Sequence, residues 1–164
     1  MSGSAPAHDE QPGFFPCSKC DTCKHSEETT ELLSPWDGRR WKLRHHLTCK
    51  TPNVIYVVKC KLHDELWYVG STVDLRSRWA GHKSDCKLKL NKKCKVADHV
   101  NTVSHPTDPK FTYLCIAAID KVPTKDRLLE RENYWRANLG TMFVGLNRRN
   151  DIHTTLRHRI HYTS

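Results

Sequence analysis

Five residues of this chain have the types that could do chemistry together: Tyr56, Tyr68, Arg78, His82 and Glu132. Glu132 is a hard oxygen ligand, suited to a single Mg²⁺ or Mn²⁺ ion that keeps most of its waters. Arg78 offers a permanently charged planar fork for a phosphate, a task that lysine does less well. A spacing of four places Arg78 and His82 on one face of a helix, so a single element can aim both into the same cleft. A tyrosine, whose ordinary pKa is near 10, sheds its proton only where a cation or a metal-bound water favours the phenolate. Singly, each residue has an ordinary reading: the tyrosines as sheet aromatics, Arg78 as a basic surface residue, Glu132 as a helix-surface carboxylate. Jointly they supply what phosphodiester hydrolysis needs, namely an activated water, stabilisation of charge on the phosphate oxygens and a steadied leaving group. Glu130 competes with Glu132 for the metal, but two residues apart on a helix they face different ways, so both cannot reach one ion.

These residues need elements to hold them. Residues 54–60 (VIYVVKC) and 66–70 (LWYVG) are β-branched and aromatic, and Lys61 to Glu65 between them suits a hairpin with a loose turn. Asp74 then caps a helix with Leu75, Trp79 and His82 at helical spacing, weakened somewhat by Gly81. A short helix over Val96–Val103 ends at Ser104-His105-Pro106. Residues 111–119 (FTYLCIAAI) read as a buried strand, and Pro123-Thr124 opens a helix to about Leu139, stopped by Gly140. The order β, β, α, α, β, α predicts an α+β fold, a small antiparallel β-sheet flanked by helices.

Around that domain, expected over residues 51–150, the composition shifts. Residues 1–13 (MSGSAPAHDEQPG) are small and polar and read as a disordered tail. Residues 14–50 form a Cys/His-rich, zinc-binding N-terminal extension with the composition of a metal knuckle rather than of a packed core, and 151–164 is a basic C-terminal tail. The 164 residues carry 27 Lys and Arg against 18 Asp and Glu. Eight of the basic residues fall between 76 and 95, where Asp85 is the lone acid. Such a face suits a polyanion, and Arg76, Lys83, Lys87, Lys89, Lys92 and Lys93 are its candidate nucleic-acid contacts. No apolar run is long enough for a membrane span and no leader is visible, which predicts a nuclear or otherwise intracellular protein that is not secreted.

Val54-Ile55-Tyr56 and Tyr68-Val69-Gly70, with eleven residues between the tyrosines, resemble the two triplets of the GIY-YIG nuclease family. The resemblance continues through Ser71 to Trp79 and His82, through Leu128 to Trp135, and into Gly145-Leu146-Asn147, in the family's order. The departure is Val54 in place of the opening glycine, at a strand start where a change of packing is expected. The resemblance implies a DNA endonuclease dependent on a divalent metal. In it Tyr56 positions or deprotonates the attacking water, Tyr68 and His82 assist, Arg78 binds the scissile phosphate, Glu132 rather than Glu130 holds the ion, and Asn147 orients substrate or water. The rival readings are a catalytically inactive DNA-binding or targeting module on the same fold, and a zinc-stapled interaction domain that binds no nucleic acid.

Eight cysteines and eleven histidines without an export signal favour metal over disulfides. Cys60 and His63 on the hairpin turn, with His99 and His105 downstream, make a reasonable tetrahedral Zn²⁺ set. This set, and the stretch Cys49 to Tyr56 leading into the domain, are most similar to the endonuclease domain of Penelope-like retroelements, in which His63 would stand for a cysteine. That resemblance implies nicking of target DNA for integration, with a reverse transcriptase as partner in the same polyprotein or complex. A second structural zinc site draws on Cys17, Cys20 and Cys23, with Cys49, His25, His45 or His46 as fourth ligand; Cys49 is preferred, because a thiolate completes a closed site. Cys86, Cys94 and Cys115 read as ordinary residues, Cys115 as core.

Overall fold

The computed structural model describes residues 11–34, 38–88, 96, 99–100 and 110–140. Its centre is a three-stranded antiparallel sheet of β5 (Val54–Cys60), β6 (His63–Thr72) and β7 (Leu114–Lys121), in the order β6-β5-β7. The middle position of β5 explains its unbroken apolar run: both faces are covered, and all its residues but Lys59 are buried. Val54, in the place of a glycine, is wholly buried in this core.

The hairpin between β5 and β6 is tighter than the sequence suggested. Cys60 pairs with His63 across a turn of Lys61 and Leu62 alone, and Asp64 and Glu65 are strand residues. As an edge strand β6 can accept the acidic pair that its propensity argues against. At the same end of the sheet the expected strand from Phe111 starts only at Leu114, because Lys110–Tyr113 coil into a 3₁₀ turn whose Tyr113 carbonyl accepts the Lys61 amide at 2.8 Å.

Helix α1 (Leu75–Leu88) follows β6 directly. Asp74 caps it: its carboxylate accepts the Arg76 amide at 3.1 Å and the Ser77 hydroxyl at 2.8 Å. Val96, His99 and Val100 are helical, within the second short helix read from the sequence. Helix α2 (Leu128–Leu139) is preceded by a 3₁₀ turn at Lys125–Arg127, so its α-helical part begins later than Pro123-Thr124. It ends at Gly140, whose φ of 65° and ψ of 22° give the left-handed stop expected there.

The largest revision concerns the N-terminal segment. It holds four short strands: β1 (Gly13–Phe14) pairs in parallel with β4 (His46–Leu47), and β2 (Glu31–Leu33) pairs antiparallel with β3 (Arg40–Lys42). Phe14, Leu32, Leu43 and Leu47 are buried in one cluster with Val54, Ile116 and Trp135. The segment is thus part of the core, against the expectation from its Cys/His-rich composition, which hides an apolar residue every few positions. Gly13, placed in the tail by its composition, is a strand residue, and residues 1–10 lie outside the described residues. Among the described residues no helix is long and apolar enough to cross a membrane.

Candidate active site

Tyr56, in the central strand, is wholly buried and sits directly opposite Gly70 in β6. The pairing has a steric reason. A Cβ on residue 70 would lie 2.5 Å from the Tyr56 hydroxyl and 2.6 Å from the ring carbon bearing it, so only glycine leaves room for the phenol. The last position of the second triplet is therefore a seat for the tyrosine of the first.

From α1, two side chains one turn apart converge on that phenol. The Arg78 Nε–H donates to Tyr56 Oη at 3.1 Å, and His82 Nε2 lies 2.8 Å from the same oxygen. Tyr68 closes the group: its ring centroid is 6.2 Å from that of Tyr56 and 5.5 Å from that of His82, edge-on to the imidazole. The electrostatics of the group are decided by burial. His82 is wholly buried, and first the loss of solvation, then the Arg78 charge, lower its pKa to about 3, so it is a neutral ring at physiological pH. For Arg78 burial opposes the charge, but the oxygens of Tyr56 and then Tyr68 outweigh it and hold the guanidinium above its usual pKa.

Glu132 occupies a second subsite. On α2 it is only 7% exposed, and its Oε1 accepts the Ser71 hydroxyl at 2.5 Å while Oε2 is ion-paired with Arg136 one turn further on. Glu130 points elsewhere: its side chain is 72% exposed and pairs with Arg127. Ser71 directly follows Gly70, and consecutive Cα atoms are about 3.8 Å apart, so β6 places the hold on Glu132 one residue from the seat of Tyr56. A carboxylate offers about four acceptor directions. Ser71 and Arg136 take two of them, which leaves the donor set of Glu132 fit for a divalent cation that keeps most of its waters.

Ser71 and Arg136 were not singled out from the sequence. The spacing Glu132 to Arg136 is a readable i, i+4 pair, whereas the Ser71 contact spans 61 positions and has no local signal. Asp120 was also missed. Buried at the end of β7, it accepts Arg131 Nε at 2.5 Å and Trp135 Nε1 at 2.8 Å, and it pairs with His45 at 3.5 Å, anchoring α2 to the sheet.

Among the described residues two groups of side chains could hold a metal ion. Cys60, His63 and His99 bring one ligand atom each within 4.8 Å of the others, with Cys60 Sγ 3.3 Å from His63 Nδ1. Cys17, Cys20, Cys23 and Cys49 do the same. The other candidates for a fourth ligand are placed elsewhere: His25 lies against Trp79, His45 against Asp120, and His46 stacks on Phe15. Of the basic residues on α1, Arg76 and Lys87 are exposed, but Lys83 is ion-paired with Asp21 and its side chain is 17% exposed, so its charge is spent within the protein rather than on the face expected. Lys89, Lys92, Lys93, His105 and Asn147 lie outside the described residues.

Over 94 residues the chain is 29% identical to Intron-associated endonuclease 1 of Enterobacteria phage T4, a match covering 57% of this chain and 35% of that protein, so the chain spans about a third of the length of that relative. Two solved structures of the catalytic domain of intron endonuclease I-TevI, one of a mutant, are similar at 26% identity and a TM-score of 0.48, covering 58% of this chain and 91% and 97% of theirs. Residues 52–150, which hold both triplets, the Arg78 and His82 helix, Glu132 and Asn147, match the family described as the GIY-YIG catalytic domain, and the chain belongs to that family.

Proposed function

We propose that this chain is a divalent-metal-dependent DNA endonuclease that hydrolyses phosphodiester bonds at the Tyr56, His82 and Arg78 cluster. The observation that carries the reading is the hydrogen-bonded line Arg78 Nε, Tyr56 Oη, His82 Nε2, set inside a GIY-YIG catalytic domain. Each member has a task its surroundings suit. The neutral His82 ring accepts a hydrogen bond from the Tyr56 hydroxyl at Nε2 and so fixes the direction of the phenol, whose oxygen, as the phenolate, would take a proton from an attacking water. The Arg78 guanidinium spends Nε on Tyr56, and its fixed charge next to the reacting oxygen favours the phenolate and attracts a scissile phosphate. Tyr68 packs against both rings and fixes their orientation.

Glu132 would hold the cation, Mg²⁺ or Mn²⁺, with Ser71 orienting its carboxylate. Such an ion supplies Lewis-acid polarisation of a phosphate oxygen and support for the leaving oxygen. Arg76, Lys87 and the basic run that follows them are the DNA contacts in this reading, and Asn147 orients substrate or water. The similarity of Cys49 to Tyr56 and of the Cys60 set to Penelope-like elements supports target-DNA nicking for integration alongside a reverse transcriptase, in the nucleus or another intracellular compartment. Zinc at Cys60, His63, His99 and His105 would then be structural.

A plasmid-nicking assay tests the reading. Supercoiled DNA is expected to be converted to nicked circles in Mg²⁺ and left intact in EDTA. DNA binding without cleavage, across Mg²⁺ and Mn²⁺, would replace this reading with that of an inactive targeting module.

A further inference from the structure

We propose that Cys17, Cys20, Cys23 and Cys49 bind one zinc ion, and that this ion clamps the N-terminal segment onto the helix that carries Arg78 and His82. The four sulfur atoms lie within 4.8 Å of one another, and none of them is in a disulfide. Four thiols at that spacing, two of them buried, are the donor set of a closed tetrahedral site. The backbone is already arranged for thiolates. The amides of Lys19 and Cys20 both donate to Cys17 Sγ at 3.4 Å, and the Cys17 amide donates to Cys23 Sγ at 3.2 Å. Amide hydrogens aimed at sulfur favour its charged form, which is the form that ligates. Without an ion, four clustered sulfurs have little reason to share one small space.

The position of the site gives it a task. Cys20 precedes the cap residue Asp21 of the 3₁₀ turn Thr22–His25 and Cys23 lies within that turn, which rests against α1: Asp21 pairs with Lys83, and the His25 ring is 5.0 Å from that of Trp79. Trp79 and Lys83 stand next to Arg78 and His82 along the helix. The fourth sulfur, Cys49, is five positions before Val54, where the strand carrying Tyr56 begins. One ion therefore joins the lead-in of β5 to the turn that packs on α1, and β5 and α1 are the two elements whose relative position sets the contact of Tyr56 with Arg78 and His82. The consequence for cleavage rests on the nuclease reading above; the metal site and its hold on α1 do not.

The test uses the full chain. Metal analysis of the purified protein and of Cys20→Ser should show the variant with one zinc fewer per chain, whatever the Cys60 group holds. Amide exchange over α1 in that variant should rise at least about tenfold while the β5 and β7 amides stay protected. Should Cys20→Ser fail to fold, zinc in the unaltered protein is exchanged for Co²⁺, and intense sulfur-to-cobalt charge-transfer absorption of tetrathiolate strength is expected. Equal zinc in both proteins, iron in place of zinc, or cobalt bound without that absorption overturns the site. Loss of zinc with unchanged α1 exchange overturns the clamp.

Discussion

The buried histidine gives the sharpest test of the cluster, because its charge state is linked to folding. His82 has a folded-state pKa lowered to about 3, while an unfolded histidine titrates near 6.5. With the folded value below the unfolded one, the unfolded chain binds the proton more readily. The stability due to the neutral ring is complete above about pH 6.5 and drains as the pH falls towards 3. The linkage gives a loss of about 2 kcal/mol at pH 5, rising to a ceiling of about 5 kcal/mol below pH 3. Urea denaturation at pH 7.5 and pH 5 measures it, with His82→Gln as the partner protein, since the other carboxylates and histidines titrate equally in both. The unaltered protein should lose about 2 kcal/mol more than the variant between the two conditions. An equal loss would refute the claim that His82 is held neutral by burial. Were the variant too unstable to measure, the ring carbon shifts of His82 followed by NMR in the unaltered protein would decide: a midpoint near 6.5 contradicts the argument.

The remaining expectations concern the two subsites and the hairpin metal. Glu132→Ala and Arg78→Ala should each abolish plasmid nicking while leaving gel-shift affinity for DNA largely intact, and Glu130→Ala should cut normally; an inactive Glu130→Ala beside an active Glu132→Ala would reverse the assignment of the carboxylate. Gly70→Ala puts a methyl group 2.5 Å from the Tyr56 hydroxyl, so overpacking of about 1–3 kcal/mol in stability and at least a hundredfold loss of nicking are expected, and a variant with full activity would show that the phenol can move. Cys60→Ser and His99→Ala should lower the melting temperature and lose activity through unfolding, the opposite of Glu132→Ala, which stays folded; calorimetry beside the nicking assay separates the two patterns.

The cluster of Tyr56, Arg78 and His82 was legible in the sequence because the order and spacing of its members are tied to local geometry. Tyr56 and Gly70 face each other only because β5 and β6 form one hairpin, and Arg78 and His82 share a face only because four residues make a helical turn. What supports them was harder to see. Ser71 and Asp120 act through partners that tertiary packing brings from α2 and, for Asp120, from the N-terminal segment as well; nothing local marks a serine after a triplet or an acid at a strand end for such roles. Lys83 failed in the other direction, since a count of charges cannot separate a lysine paired with Asp21 from one facing solvent. The N-terminal segment was misjudged for a related reason. Its strands are two or three residues long, too short to show a period, and Phe14 and Leu47 reach the core by pairing β1 with β4 rather than by any pattern of their own.

The two subsites meet on β6, and that explains why the second triplet carries so much of the design. Gly70 has no side chain, so the Tyr56 phenol can lie against the backbone, and Ser71, the next residue, reaches the carboxylate of Glu132 on α2. Alternate strand residues point to opposite sides of a sheet, so one two-residue step serves α1 through Tyr56 and α2 through Glu132. The helices themselves are held independently: α1 by the Asp74 cap and the turn at Thr22–His25, α2 by Asp120 through Arg131 and Trp135. Each helix is thus tied to the fold by anchors of its own, and β6 links the two through the seat of Tyr56 at Gly70 and the hold of Ser71 on Glu132.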